Sequence, residues 1–229
     1  MEPLVELTDV TYTNDAGRLI FDRAHLSLAP GEILLVTAPV GSGKGVLLKL
    51  ISGLLAPEGG AVRLFGEGVA GISPSAFNGL KKRMGFVFQD TVLVSNLKVI
   101  ENVALPMLYH TNTPPEECLE LASELLGATG FKGDLWGLPD LLGFHDRKRV
   151  AVARALSMDP EVLVCESIGA GLTAFEKEVL ASLILGFHAC GPSRGLLFTS
   201  TSAADAPVFK ACRVVRIEGG VFVEKGGVR

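Results

Sequence analysis

Short apolar runs separated by turn residues recur along the chain and predict β-strands. The runs lie at residues 4–12, 24–28, 33–37, 62–65, 85–88, 162–165 and 196–199. No apolar stretch approaches the roughly 18 uninterrupted residues of a membrane span, so we expect that the chain does not cross a membrane itself.

Between these runs, apolar residues at helical spacing predict α-helices. One helix is predicted over residues 44–54, ending at PEGG, and others over 147–157 and after Leu172. Between about residues 96 and 136 the strand signal disappears, and PPEECLELASELLGATG has the proline start, acidic first turn and glycine stop of a helix. Strands that alternate with helices predict an α/β fold with a mostly parallel sheet covered on both faces.

Composition and charge are those of an ordinary folded protein. The 229 residues are 48% hydrophobic and 20% charged, which predicts one globular unit. The net charge of −4 gives no excess of basic residues, so no nucleic-acid partner is expected. Four cysteines without a CxxC pair, and an N-terminus unlike a signal peptide, favour a cytosolic location. The mean hydropathy of +0.40 reflects either a large aliphatic core or apolar surface covered by a partner.

The segment TAPVGSGKGVLLKL, residues 37–50, has the pattern of a phosphate-binding loop. Gly41, Ser42, Gly43 and Lys44 stand between an apolar strand and an amphipathic helix, the context that such a loop requires. Glycines let backbone amides turn toward phosphate oxygens, and the lysine can reach the terminal phosphates. The usual first glycine is Ala38, and the usual Ser or Thr is Gly45, so the pattern alone also fits a tight strand-to-helix turn.

Longer stretches carry a family resemblance. LIFDRAHLSLAPGEILLV precedes the loop, MGFVFQDTVLVSNLKVIENVALPM follows it, and RKRVAVARALSMDPEVLVCE comes later. Their order and spacing resemble ABC-type ATPase domains over nearly the whole chain, and the stretch around Gln89 is most similar to those serving lipid trafficking, lipoprotein release or cell division. The resemblance implies one P-loop NTPase-like domain over residues 1–229, with an N-terminal antiparallel β subdomain and a helical subdomain at about 90–157.

The resemblance also implies roles for individual residues. Tyr12 would stack on adenine, Gln89 would link the nucleotide site to a membrane subunit, and residues 147–156 would form the helix behind the signature motif. ATP or ADP is the implied ligand. The implied nucleotide-binding residues are Tyr12, Ala38, Gly41, Ser42, Gly43, Lys44, Gly45, Val46 and Gln89, and the implied metal-contacting residues are Gln89 and Glu166.

The departures from the family pattern fall on the chemistry of hydrolysis. The family places a hydroxyl on Mg²⁺, an aspartate on the water shell of the metal and a glutamate beside the attacking water. Those positions are Gly45, Glu166 and Ser167 here, and the switch histidine aligns with Ser202. Ser167 cannot act as a base near neutral pH. We therefore expect weak or absent hydrolysis with no assignable catalytic residue, and the missing hydroxyl argues against a firmly held Mg²⁺.

The signature motif and the loop after the metal strand are altered too. LSGGQ aligns with LGFHD, residues 142–146, and the aspartate of the following loop aligns with Thr173. Phe144 and His145 would obstruct the nucleotide of an opposing subunit, and Asp146 adds an unfavourable negative charge. None of the four histidines has metal-ligand spacing.

The leading prediction is a non-hydrolysing ABC-type subunit, peripheral on the cytosolic face of a membrane. It would dock on an integral membrane transporter subunit through the region after Gln89, and would pair as a homodimer or with another ABC ATPase subunit. Two alternatives stay open. One is an active ATPase whose base is unusual or supplied in trans, and the other is a scaffold that binds no nucleotide, against which Lys44 and the remaining glycines argue.

Overall fold

The chain begins with an antiparallel sheet. In the computed structural model, which describes residues 2–167, 169–202 and 212–224, its strands follow the order β2-β1-β4-β5. Buried and exposed positions alternate along much of β2, because one face packs on the core and the other faces solvent. The strands are β1 (Val5–Thr13), β2 (Leu19–Leu28), β4 (Gly59–Leu64) and β5 (Glu67–Gly68).

A second, mostly parallel sheet forms the centre of the molecule. Its order is β10-β9-β3-β8-β7-β6, with only β10 and β9 paired antiparallel. Every position of β3, β7 and β8 is buried, as in a sheet covered on both faces. The strands are β3 (Ile33–Thr37), β6 (Met84–Val87), β7 (Val162–Cys165), β8 (Gly195–Ser200), β9 (Arg213–Glu218) and β10 (Val221–Glu224).

Six α-helices of the described chain surround the sheets, and the side chains form three cores. The helices are α1 (Lys44–Ile51), α2 (Pro74–Lys82), α3 (Val99–His110), α4 (Pro115–Ala128), α5 (Phe144–Leu156) and α6 (Ala174–Ala189). The first core, which includes Leu34 and Leu47, joins the antiparallel sheet, α1 and one face of the parallel sheet. The second core, with Leu35 and Ile184, covers the opposite face, and the third core, with Leu126, lies among α3, α4 and α5.

The α/β fold with its antiparallel sheet and helical insertion is as predicted, but several element boundaries were wrong. The helix predicted over residues 44–54 ends at Ile51. Gly53 adopts a left-handed φ of 69° and Leu54 donates its N–H back to the Lys49 carbonyl at 2.8 Å, which closes the helix. Leu54 is 63% exposed and adds nothing to the buried face.

The apolar pattern did not predict some of the helices and strands. Helix α2 is short and mostly exposed, yet Ser73 caps it by accepting the Ala76 N–H at 3.2 Å and Pro74 opens its first turn. The hairpin of β9 and β10 completes one edge of the parallel sheet. Helix α5 begins at Phe144 rather than Arg147, so the last three residues of the LGFHD segment form its first turn. None of the helices in the described part of the chain combines the length and hydropathy needed to span a bilayer.

Candidate functional site

The glycine loop connects β3 to α1 in a conformation that needs glycine at two positions. Gly41 and Gly43 have φ angles of 78° and 101°, in the left-handed region that other residues rarely adopt. A Cβ at Gly43 would also lie 2.7 Å from the Cγ2 atom of Ile20. These two glycines therefore permit the tight entry of the chain into α1.

Lys44 is the first residue of α1, directly after the glycine loop, and it is 7% exposed. Its ammonium donates to the carbonyls of Ala38 at 2.6 Å and Pro39 at 2.8 Å, which offsets part of the cost of burying a charge. Burial lowers the pKa of Lys44, and the nearby Glu166 carboxylate opposes that shift. The lysine is thus held in place at the edge of a cleft.

That cleft has a volume of about 590 Å³ and brings together residues from distant parts of the chain. The glycine loop, the segments that follow β6 and β7, and the end of β8 all contribute, since the carboxyl ends of parallel strands meet at one edge of the sheet. Asn14, Ile20, Lys49 and Lys177 also line the cleft, and no sequence pattern singled them out. The predicted residues that line it are Gly41, Gly43, Lys44, Gly45, Val46, Gln89, Glu166 and Ser167.

The other predicted residues lie around the cleft. Tyr12 is half-buried and packs against the first core, while Asn14 and Ile20 form the wall on that side. Ala38 is 1% exposed beneath the loop, and Ser42 is half-buried on it. Ser202 follows β8 and donates its N–H to Ser200 Oγ at 3.1 Å.

Glu166 and Gly45 form a close pair inside the cleft. A Cβ built on Gly45 would stand 2.8 Å from Glu166 Oε1, so the carboxylate lies where a side chain at position 45 would begin. The second oxygen, Oε2, accepts the Gln89 N–H at 3.3 Å. Among the described residues, no group of three or more His, Cys, Asp or Glu side chains could hold a metal ion. A cation here would therefore need ligands from a bound phosphate as well.

Ser167 is fixed by backbone hydrogen bonds at the end of β7. It is 6% exposed and has a φ of 46°. Its N–H donates to both the carbonyl and the hydroxyl of Thr199, at 3.0 and 3.2 Å. A serine hydroxyl is not basic near neutral pH, so Ser167 cannot take a proton from a water molecule.

Lys148 on α5 binds the loop that follows Ser167. It is 1% exposed, and its ammonium donates to the carbonyls of Ser167 at 3.2 Å and Ala170 at 2.8 Å. The same ammonium lies 4.8 Å from the centre of the Phe144 ring. Burial lowers the pKa of Lys148 to about 8. The buried Lys148 ammonium thus connects α5 to two residues that line the cleft.

The LGFHD segment also contacts the same loop directly. The Phe144 ring lies against Gly171, where an added Cβ would come within 2.8 Å of it. His145 Nε2 contacts the Gly171 carbonyl at 3.1 Å, and His145 Nδ1 forms an ion pair with Glu176. Both partners are acceptors, so both contacts are hydrogen bonds only when the imidazole carries two protons. Hydrogen bonds from Thr173 and the histidine contact lower the pKa of Glu176.

The segment after Gln89 is anchored to the helices and exposes apolar side chains. Asn102 is fully buried, and its amide accepts the Val94 N–H at 2.7 Å and donates to the Val94 carbonyl at 3.0 Å. Arg154 donates to the carbonyls of Thr91 and Val92, both at 2.9 Å. Val92 is nevertheless 60% exposed. The backbone of this segment is held while its apolar side chains remain accessible.

Comparisons with known proteins show which family and fold this chain resembles. The ABC transporter family model matches residues 21–166. The chain is 32% identical to the intermembrane phospholipid transport system ATP-binding protein MlaF of Haemophilus influenzae, over 79% of this chain and 68% of that protein. It is 33% identical to the protein of the same name from Escherichia coli K12, over 79% and 67% of the two chains. A dimeric, post-hydrolysis ATP-binding cassette bound to ADP and Pi superposes with a TM-score of 0.89, at 23% identity over 98% of this chain and 99% of that one.

Proposed function

The chain belongs to the ABC transporter family as an ATP-binding subunit, and we propose that it holds a nucleotide in the glycine-loop cleft while hydrolysing it weakly or not at all. One observation carries this proposal. Among the described residues that line the cleft, Glu166 has the one acidic side chain and none is a histidine. Its carboxylate is directed toward Gly45 and Gln89. We assign the buried Ser167 to the place where the family has its base. The cleft can hold phosphates, and apart from the Glu166 carboxylate its described lining offers no side chain suited to activate water.

The glycine loop supports the proposed binding of a nucleotide. The left-handed glycines, the start of α1 and the ammonium of Lys44 provide the amides and positive potential that bind phosphate oxygens. The solved cassette with a similar fold is described as bound to ADP and Pi. ATP or ADP is therefore the ligand that we propose for this chain, with the adenine on the side of Tyr12.

The LGFHD contacts support weak hydrolysis in a paired state. Phe144 and His145 face Gly171 and Glu176 of their own chain. Two bulky side chains engaged in this way leave less room for the terminal phosphate of a nucleotide on an opposing subunit. We propose that the chain pairs with a second ABC ATP-binding subunit, identical or different, without forming a fast hydrolytic site on this face.

We further propose that the subunit serves lipid transport at a membrane. The relatives named MlaF belong to an intermembrane phospholipid transport system. The segment after Gln89, with its anchored backbone and exposed Val92, provides an apolar surface for an integral membrane subunit. The chain would then lie on the cytosolic face of that membrane.

Equilibrium titration with fluorescently labelled ATP and ADP, paired with a phosphate-release assay, tests the proposal. We expect saturable binding that Lys44→Ala weakens at least about tenfold, because an ammonium-to-phosphate contact is lost. Turnover should stay below about 0.1 per second, since loss of a general base costs about 10² to 10⁴ of an ordinary rate of about 10 per second. Lys132→Ala, at an exposed lysine after α4, is the matched control.

Two results would contradict the proposal in different ways. Turnover of several per second that disappears in Lys44→Ala would identify an active ATPase. Absence of saturable binding would instead favour a scaffold that uses the fold for protein contacts.

A further inference from the structure

We infer that Lys177 on α6 contacts the terminal phosphate of a bound nucleotide, so that this chain by itself binds ATP in preference to ADP. The inference rests on the proposed nucleotide binding and names the residue that distinguishes the two nucleotides. Lys177 lies outside the glycine-loop motif, and α6 brings it to the same cleft.

Lys177 reaches the cleft along the loop that follows Ser167. A Cβ added at Gly169 would stand 3.2 Å from Lys177 Cε and 3.5 Å from Cδ, so the lysine side chain runs beside this glycine. A larger residue at position 169 would crowd that side chain, whereas glycine leaves its path open. Lys177 and Gly169 both line the cleft.

This loop borders the place where the terminal phosphate would lie. Ser167, which we assign to the place of the family's base, precedes Gly169 by two residues, and such a base acts on a water molecule beside the terminal phosphate. The adenine would lie on the side of the cleft formed by Asn14 and Ile20. The terminal phosphate is therefore the part of the nucleotide that Lys177 would contact.

The charges around the cleft favour a phosphate at this place. Among the described residues that line it, the charged side chains are those of Lys44, Lys49, Lys177 and Glu166. Behind the loop, burial is the main cause that lowers the pKa of Lys148, and the positive charge of Lys177 lowers that pKa further. The two ammonium groups thus repel each other, and an anionic phosphate beside Lys177 would offset that repulsion.

The contact would be made within one chain. Phe144 and His145 contact Gly171 and Glu176 of their own chain, which leaves less room for an opposing subunit beside the terminal phosphate. Lys177 supplies a positive charge there from the same chain that holds the nucleotide. ADP lacks the terminal phosphate and would lose this contact, and charge-assisted hydrogen bonds are about twice as strong as neutral ones.

Isothermal titration of the full chain with ATP and with ADP, in one buffer throughout, tests this inference. We expect the wild type to bind ATP at least about tenfold more tightly than ADP. Lys177→Met removes the charge and keeps a long side chain. It should weaken ATP binding about tenfold and ADP binding less than about twofold. Lys177→Arg keeps the charge and should retain most of the preference for ATP.

Two further lysines serve as controls. Lys49→Met removes the same charge from the same cleft but from α1, so it should leave the ratio of ATP affinity to ADP affinity as in the wild type. Lys132→Met, at an exposed lysine after α4, should bind both nucleotides as the wild type does.

Each contrary result has its own meaning. Equal affinity of the wild type for ATP and ADP, or equal weakening of both in Lys177→Met, would overturn the inference while leaving nucleotide binding intact. The inference would also be wrong if Lys177→Arg lost the preference as fully as Lys177→Met, or if Lys49→Met changed the affinity ratio as much. Absence of saturable binding of either nucleotide to the wild type would overturn both this inference and the proposed function.

Discussion

At the scale of single residues, the surroundings of a side chain decide its role more than its chemical type. Glu166 stands where the family has an aspartate, and its Oε1 atom lies 2.8 Å from the position of a Cβ on Gly45. Glycine inside a helix costs up to about 1 kcal/mol relative to alanine. The space beside this glycine is filled by the end of the Glu166 side chain.

Asn102 anchors the segment after Gln89 by hydrogen bonds to the backbone of Val94, Leu97 and Lys98. We expect Asn102→Ala to lower the free energy of unfolding by about 2–3 kcal/mol, because it leaves the Val94 N–H without its side-chain acceptor and removes a fully buried side chain. Urea denaturation followed by circular dichroism measures this change. Asn78→Ala, at an exposed position of α2, should change stability by less than about 0.5 kcal/mol. Equal effects of the two variants would contradict the anchoring role.

At the scale of elements, α5 connects the altered signature segment to the cleft wall. Its first turn carries Phe144 and His145, which contact the loop around Gly171. One turn later, Lys148 donates to the carbonyls of the same loop. The loop beside the candidate base position is thus contacted by one helix, through two aromatic side chains and a buried lysine.

The charge of Lys148 predicts a pH dependence of stability. Its pKa falls from 10.5 in the unfolded chain to about 8 in the fold. Between these values the unfolded state binds more protons, so the contribution of Lys148 to stability rises with pH. Relative to Lys148→Met, the wild type should gain about 2 kcal/mol between about pH 7 and about pH 9.5.

Urea denaturation of both proteins at each pH measures this gain. Lys132→Met, at an exposed lysine, provides the control, because its loss should leave the pH dependence of the wild type unchanged. A constant difference between the wild type and Lys148→Met across the range would show that the folded protein does not perturb this lysine.

At the scale of the whole molecule, α5 also links two of the three cores. Ala151 and Val152 belong to the second core against the parallel sheet, whereas Val150 and Ala153 belong to the third core among the helices. All four side chains are fully buried. Because one helix serves both cores, we propose that residues 1–229 unfold as a single domain.

This proposal predicts one cooperative transition seen equally by two signals. Trp136, the single tryptophan, lies between α4 and α5 and reports on the helical part by fluorescence, while circular dichroism reports on the whole chain. Leu126→Ala in the third core should destabilise by about 2–5 kcal/mol and shift both urea midpoints together. Leu121→Ala on the same helix, at a position 46% exposed, should shift neither appreciably. Separate midpoints for the two signals would indicate two domains.

Many strands and helices could be predicted from the sequence because they produce local patterns of apolar and turn residues. Apolar runs predicted the buried strands β3, β7 and β8, and the glycine loop between a strand and a helix predicted the start of α1 at Lys44. The family was likewise recognisable from motifs in their order. Helix α2 and the hairpin of β9 and β10 were missed, since exposed or edge elements carry a weak apolar signal.

The sequence by itself determined which residues stand in the loop, at the end of β7 and in the LGFHD segment, because each belongs to a recognisable local motif. Only the tertiary structure decided that Glu166 lies against Gly45, that Lys148 holds the loop after Ser167, and that His145 pairs with Glu176. These pairs lie far apart or on different elements, and their distances follow from how sheet and helices pack. Local propensity fixes the elements, but packing sets the contacts between side chains from different elements, and the chemistry of this cleft depends on those contacts.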